Sequence, residues 1–113
     1  MPAFVEIASL HQMASGSATV VTIADNAIML FNVDGDIYAT EAWCLCCGSC
    51  LGGGTLSGEL VRCGRCQWQY DVTTGSVVTL PALRLDTFAV KVVANRIMLA
   101  SIWGRRGRDA PAG

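Results

Sequence analysis

All six cysteines of this 113-residue chain fall between positions 44 and 66, and no other feature restricts its possible folds as much. Disulfide frameworks belong to oxidising compartments and are usually spread along a chain. These cysteines sit in two tight groups, which in a reducing compartment reads as metal binding before it reads as bridging. The pattern is Cys44-Leu45-Cys46, sixteen intervening residues, then Cys63-Gly64-Arg65-Cys66. Two close pairs on separate loops let four thiolates converge, each pair supplying two corners of a tetrahedral or near-tetrahedral site.

A chain of this length is one domain, large enough to bury a core without a covalent staple. A hydrophobic fraction of 52%, a charged fraction of 15% and a formal net charge of -1 leave no basic footprint for nucleic acid. The longest apolar stretches, such as Ala27 to Phe31, have the length of a strand and fall well short of the roughly 18 residues a membrane span needs. The N-terminus has no positively charged segment leading into an apolar one. The expectation is a cytoplasmic protein with no membrane or nucleic-acid partner.

Short β-type runs bounded by turn residues recur along the chain, and no long segment has a 3.6-residue period. The fold expected is all-β. Strands are expected at Phe4 to Ala8, Ala18 to Ile23, Ala27 to Val33, Ile37 to Ala42, Glu59 to Arg62, Trp68 to Val72, Phe88 to Ala94 and Arg96 to Ala100. Asp34-Gly35 is a strong hairpin signal, since a tight hairpin turn needs residues that accept positive φ; Ser57-Gly58, Thr74-Gly75 and Asn95-Arg96 are weaker ones. The meander is interrupted from about Trp43 to Tyr70, where the cysteines collect, and an irregular segment held by a rigid sheet is where chemistry is commonly placed. Residues 104–113 lose their large apolar side chains and read as a disordered tail, leaving residues 1–103 as the domain.

The run Phe31-Asn32-Val33-Asp34-Gly35-Asp36-Ile37-Tyr38-Ala39-Thr40-Glu41-Ala42-Trp43-Cys44, with Gly54-Thr55-Leu56-Ser57-Gly58-Glu59-Leu60-Val61-Arg62-Cys63, resembles the Rieske ferredoxins of bacterial aromatic-ring dioxygenases. The resemblance continues through Tyr70-Asp71-Val72-Thr73-Thr74-Gly75 and Leu80-Pro81-Ala82 and covers nearly the whole chain outside the tail. It implies a β-sandwich or barrel-like base carrying a small cluster-binding cap at about residues 43–70. It also implies a [2Fe-2S] cluster and a role as electron carrier, with no catalysis of its own. The partners implied are a flavin-dependent reductase as donor and a terminal oxygenase as acceptor.

The family pairs Cys-x-His with Cys-x-x-His. Cys44 and Cys63 fall on its cysteine positions, whereas Cys46 and Cys66 fall where its histidines belong. Changing both histidines to cysteine keeps four soft donors at the ligand positions, so the resemblance implies Cys44, Cys46, Cys63 and Cys66 as the ligands of an all-cysteine centre. The only histidine, His11, lies too early in the chain to be a family ligand. Four thiolates concentrate negative charge, and the expected potential lies well below that of a Rieske centre, towards about −400 mV. With no imidazole to titrate, it should vary little around neutral pH. Tyr70 resembles a tyrosine that donates a hydrogen bond towards a ligand sulfur, Gln67 stands where the family usually has glycine, and Trp43 and Trp68 flank the loops as shields or as core.

Other readings of the same residues remain open. Cys47-Gly48-Ser49-Cys50 is itself a Cys-x-x-Cys and pairs with Cys63 and Cys66 in a zinc-ribbon or single-iron, rubredoxin-like arrangement, serving electron transfer or structure. A catalytic disulfide at Cys47 and Cys50 is the enzyme alternative, although Leu51-Gly52-Gly53-Gly54 is a poor helix start for activating such a pair. A degenerate fold that only supports a larger enzyme is the structural alternative.

Overall fold

A computed structural model of the chain describes residues 4–23 and 25–100; the expected tail at 104–113 lies outside the described residues. Twelve strands form three antiparallel sheets, and among the described residues there is no α-helix. In chain order the strands are β1 (Phe4–Ser9), β2 (Ala18–Ile23), β3 (Asn26–Val33), β4 (Asp36–Glu41), β5 (Thr55–Ser57), β6 (Leu60–Arg62), β7 (Gln69–Asp71), β8 (Ser76–Val77), β9 (Leu80–Arg84), β10 (Thr87–Phe88), β11 (Val90–Val93) and β12 (Arg96–Ala100). The sheets run β1-β12-β11, β10-β4-β3-β2 and β5-β6-β7-β8-β9.

Strand β3 explains how the layers stack. Successive side chains of a strand point to opposite faces, and β3 is buried on both. Ile28 and Leu30 pack with Ala39, Ile97, Leu99 and Met13 in the core towards the three-stranded sheet. Met29, Phe31 and Val33 pack with Leu51, Val61, Tyr70, Val72, Val77 and Leu85 in the core beneath the five-stranded sheet. The continuous apolar run Ala27 to Phe31 is therefore what a strand between two layers requires. The base consists of two sheets, and the cap lies on the outer face of one of them.

Most expected strands are found within a residue or two of their expected bounds. The stretch expected as one strand at Phe88 to Ala94 is instead divided between β10, which pairs with β4, and β11, which pairs with β12. The turn into β12 has its left-handed residues at Ala94 and Asn95, with φ of 52° and 66°, one residue earlier than expected. The cap sheet also continues beyond Tyr70 through β8 and β9. Strand β9 is exposed throughout and lies at the sheet edge, the place where Pro81 can sit without removing a ladder hydrogen bond.

The candidate metal centre

Two loops of the same shape meet at the outer end of the cap. In the first, the Gly48 N–H donates to the Cys44 carbonyl at 2.9 Å and the Cys44 N–H to the Ser49 carbonyl at 2.9 Å. In the second, the Gln67 N–H donates to the Cys63 carbonyl at 3.0 Å and the Cys63 N–H to the Trp68 carbonyl at 2.8 Å. The residues flanking each loop also pair in the same register, Trp43 with Cys50 and Arg62 with Gln69. Each loop closes through a left-handed residue at the same place, Gly48 at φ 76° and Gln67 at φ 71°. Glycine takes that conformation freely, whereas a residue with a Cβ is strained in it.

In such a loop the first and fourth residues turn their side chains the same way. Two copies facing each other bring the Sγ atoms of Cys44, Cys47, Cys63 and Cys66 within 4.8 Å of one another. The closest approaches cross between loops, Cys44 to Cys66 and Cys47 to Cys63, each at 3.6 Å. Of the four cysteines expected from sequence, three are in this group. Cys46, on the family's histidine position, lies outside it with an exposed side chain, and Cys47 occupies the fourth corner. Cys50 also stands apart, half-buried, with its Sγ accepting the Gly52 N–H at 3.4 Å. The Cys47–Cys50 disulfide of the enzyme alternative is not formed, and all six cysteines are free thiols. The legible signal for Cys47 is the equal spacing of 44 to 47 and 63 to 66.

Cys44 and Cys63 form the buried side of the group, while Cys47 is exposed and Cys66 partly so. Beneath it, the buried Tyr70 places its hydroxyl 3.2 Å from the Cys44 Sγ while accepting the Leu45 N–H at 2.9 Å, so its proton is directed to the sulfur, as the resemblance implied. Burial, reinforced by the Cys44 sulfur, holds the phenol well above its ordinary range, and it remains a donor. Trp68 is half-buried against the cap core, whereas Trp43 is 54% and Leu45 46% exposed beside the thiols. His11 is exposed in a single 3-10 turn of the base.

Crowding drives the pKa values of Cys47 and Cys66 in opposite directions. Burial opposes ionisation of Cys44, but hydrogen bonds from Tyr70, the Cys47 and Cys46 backbone and Cys66 outweigh it and lower its pKa. Hydrogen bonds from the Ser49 side chain and backbone bring Cys47 down to about 6. At Cys66 the Trp68 backbone N–H also lowers the pKa, but desolvation and the three neighbouring cysteines prevail and push it to about 12. Such mutual opposition is relieved by a metal ion, whose charge favours every thiolate at once.

A small all-β domain with a tetrathiol site at its tip is a metal-carrying scaffold, and comparisons with known proteins identify which one. The Rieske [2Fe-2S] domain model matches residues 3–93. The ferredoxin component of the naphthalene 1,2-dioxygenase/salicylate 5-hydroxylase systems of Ralstonia sp. is 30% identical over 97 residues, covering 85% of this chain and 93% of the relative. The ferredoxin component of the naphthalene 1,2-dioxygenase system of Pseudomonas aeruginosa is 28% identical with the same coverage. Among solved structures, the ferredoxin of carbazole 1,9a-dioxygenase from Nocardioides aromaticivorans IC177 superposes with a TM-score of 0.79 at 25% identity, covering 86% of this chain and 96% of that one. The chain belongs to the Rieske [2Fe-2S] domain family, in its ferredoxin branch of electron carriers that are not themselves catalytic.

Family membership supports a [2Fe-2S] cluster as cofactor, and the four converging cysteines are a possible site for it. They match such a cluster in number and in softness. Their spacing is tighter than two bridged irons require.

Proposed function

We propose that the chain is the electron-carrying component of a multicomponent oxygenase, through an iron centre held by Cys44, Cys47, Cys63 and Cys66. The observation that supports this reading is the convergence of those four thiols at the solvent-facing end of a Rieske ferredoxin fold. The donor is a flavin-dependent reductase and the acceptor a terminal oxygenase, in line with relatives named as ferredoxin components of dioxygenase systems. A cytoplasmic location is consistent with six free thiols. No helix among the described residues is long and apolar enough to cross a membrane. The domain is taken as residues 1–103, with 104–113 as its tail.

When bound, the centre supplies a reversible one-electron change. The chain's own part is to fix the donors and to control access to them. The cap core excludes water from Cys44 and Cys63, the Tyr70 hydroxyl and backbone N–H groups offset charge on the sulfurs, and Cys47 and Cys66 face outwards. The exposed Trp43 and Leu45 form an apolar rim where a partner can exclude water over the shortest path to the sulfurs.

The test is an anaerobic reductive titration of protein purified with its metal, followed by mixing with a ring-hydroxylating oxygenase. One electron taken up reversibly per chain and passed to the oxygenase is the expected result. A centre that takes up no electron refutes the reading.

A further inference from the structure

We propose that this chain's site holds a single tetrahedrally coordinated metal ion in place of the family's two-iron cluster. The proposal rests on the ligand set of the electron-carrier reading, but its test does not depend on the redox activity.

Metal–sulfur bonds of about 2.3 Å set the edges of a tetrathiolate tetrahedron at about 3.8 Å. The two cross-loop pairs stand at 3.6 Å and no pair exceeds 4.8 Å, so one ion fits with displacements of a few tenths of an ångström up to about 1 Å. Two irons bridged by sulfide require more room. Each terminal bond then points outward along the iron–iron axis, and thiolates on different irons stand more than about 5 Å apart. No assignment of these four sulfurs to two irons satisfies that separation without parting the loops.

A Cβ on Gly64 would collide with the Gly53 carbonyl, and one on Gly54 with the Arg62 carbonyl, so the second loop lies backbone to backbone on the segment that follows the first. The two loops also close through matched backbone bonds, the Gly48 N–H to the Cys44 carbonyl and the Gln67 N–H to the Cys63 carbonyl. This near-two-fold arrangement relates Cys44 to Cys63 and Cys47 to Cys66, so that each loop brings one buried and one outer thiol to a common centre. A two-iron cluster would distribute them over two points. The tip of the first loop carries the exposed Cys46 outward, away from that centre.

The test is iron, zinc and acid-labile sulfide content of the whole chain purified without oxygen after iron-supplemented expression, with native mass spectrometry of the same sample. One metal and no sulfide per chain is the expected result. Two irons with two sulfides overturn the proposal while leaving the electron-carrier reading intact. A single zinc that iron does not replace upholds the proposal and refutes the electron-carrier reading. No metal at all refutes both. A second measurement titrates cobalt(II) into metal-free protein. Thiolate-to-cobalt absorption should saturate at one equivalent, survive Cys46→Ser and lose intensity in Cys47→Ser; saturation at two equivalents, or a response to Cys46→Ser alone, overturns it.

Discussion

Tyr70→Phe separates the sulfur-directed hydroxyl from the ring that carries it. The ring is buried in the cap core and phenylalanine keeps it, so the change is confined to two hydrogen bonds. The Leu45 N–H loses its acceptor at 2.9 Å and the Cys44 sulfur its donor at 3.2 Å. A net hydrogen bond is worth about 1 kcal/mol and one to a charged acceptor about 2 kcal/mol, less what water restores at the loop surface, so the metal-free fold should lose about 2 kcal/mol. In iron-loaded protein the bond strengthens on reduction, when more charge resides on sulfur. If about 1 kcal/mol of it is specific to the reduced form, its loss lowers the potential by about 40 mV, from 59 mV and 1.4 kcal/mol per tenfold change in a one-electron equilibrium. Spectroelectrochemical titration measures the shift, and urea unfolding of metal-free protein measures the stability. Because burial and the Cys44 sulfur keep the phenol protonated, the shift should be the same from pH 6 to 9. An unchanged or raised potential, with the metal content intact, would refute the assignment of Tyr70 as donor to the sulfur.

Cys47→Ser should abolish tight metal binding and Cys46→Ser leave it within about twofold, read by metal content after dialysis against a chelator; the reverse order would return the fourth ligand to the family's histidine position. In metal-free protein Cys47 is lowered to about 6 and Cys66 raised to about 12, from an ordinary value of 9.0. The sign follows from which state holds the proton. The Cys47 contribution is present above pH 9 and is lost as pH falls through 6, and the Cys66 contribution is present below pH 9 and is lost as pH rises towards 12. Urea midpoints of metal-free protein should therefore peak near pH 9, and Cys47→Ser should flatten the acid limb; an acid limb unaltered by that change would exclude Cys47 as its source. Gln67→Gly removes a Cβ from a left-handed position at φ 71°, and the relieved strain exceeds the added unfolded-state entropy by about 0.5 to 1 kcal/mol. A midpoint that falls in denaturant would show the side chain to be worth more than the strain. Gly64→Ala places a Cβ against the Gly53 carbonyl and should cost about 3 kcal/mol together with the metal, measured by thermal unfolding with and without added zinc.

Much of the fold was legible because local and long-range requirements agree. The apolar run Ala27 to Phe31 is strand-like by itself and occupies a position buried on both faces, and Asp34-Gly35 supplies the left-handed turn that the β3–β4 hairpin uses, at φ 52° and 97°. The elements that escaped notice have no such agreement. Strands β5 and β8 are three and two residues long, too short for an alternating pattern, and exist because the sheet around them offers ladder partners. Strand β9 faces solvent throughout and so carries no core signal. Trp43, legible as shield or core, is mostly exposed, because the chain turns outward there into the first cysteine loop.

The corner at which the thiol cluster departs from the expected set, Cys47 in place of Cys46, has a physical cause in that loop. Alignment to Cys-x-His places a ligand two residues after Cys44, where an imidazole has a longer reach than a thiol. A thiol is shorter and rigidly tied to its Cβ, so it must already be directed at its partners by the backbone. A turn closed from residue five to residue one directs the first and fourth side chains together and turns the third away. The second loop already has that spacing in the family pattern, and Cys66 could take over from histidine without a shift. The first does not, and the thiol that joins the cluster stands one residue on, at position 47 and not 46. The conversion to thiolates is thus a change of loop geometry as much as of donor chemistry. In this chain the two loops carry the same backbone hydrogen bonds. Each matched loop brings one buried and one outer thiol to a common centre, and four sulfurs at this spacing favour one ion there.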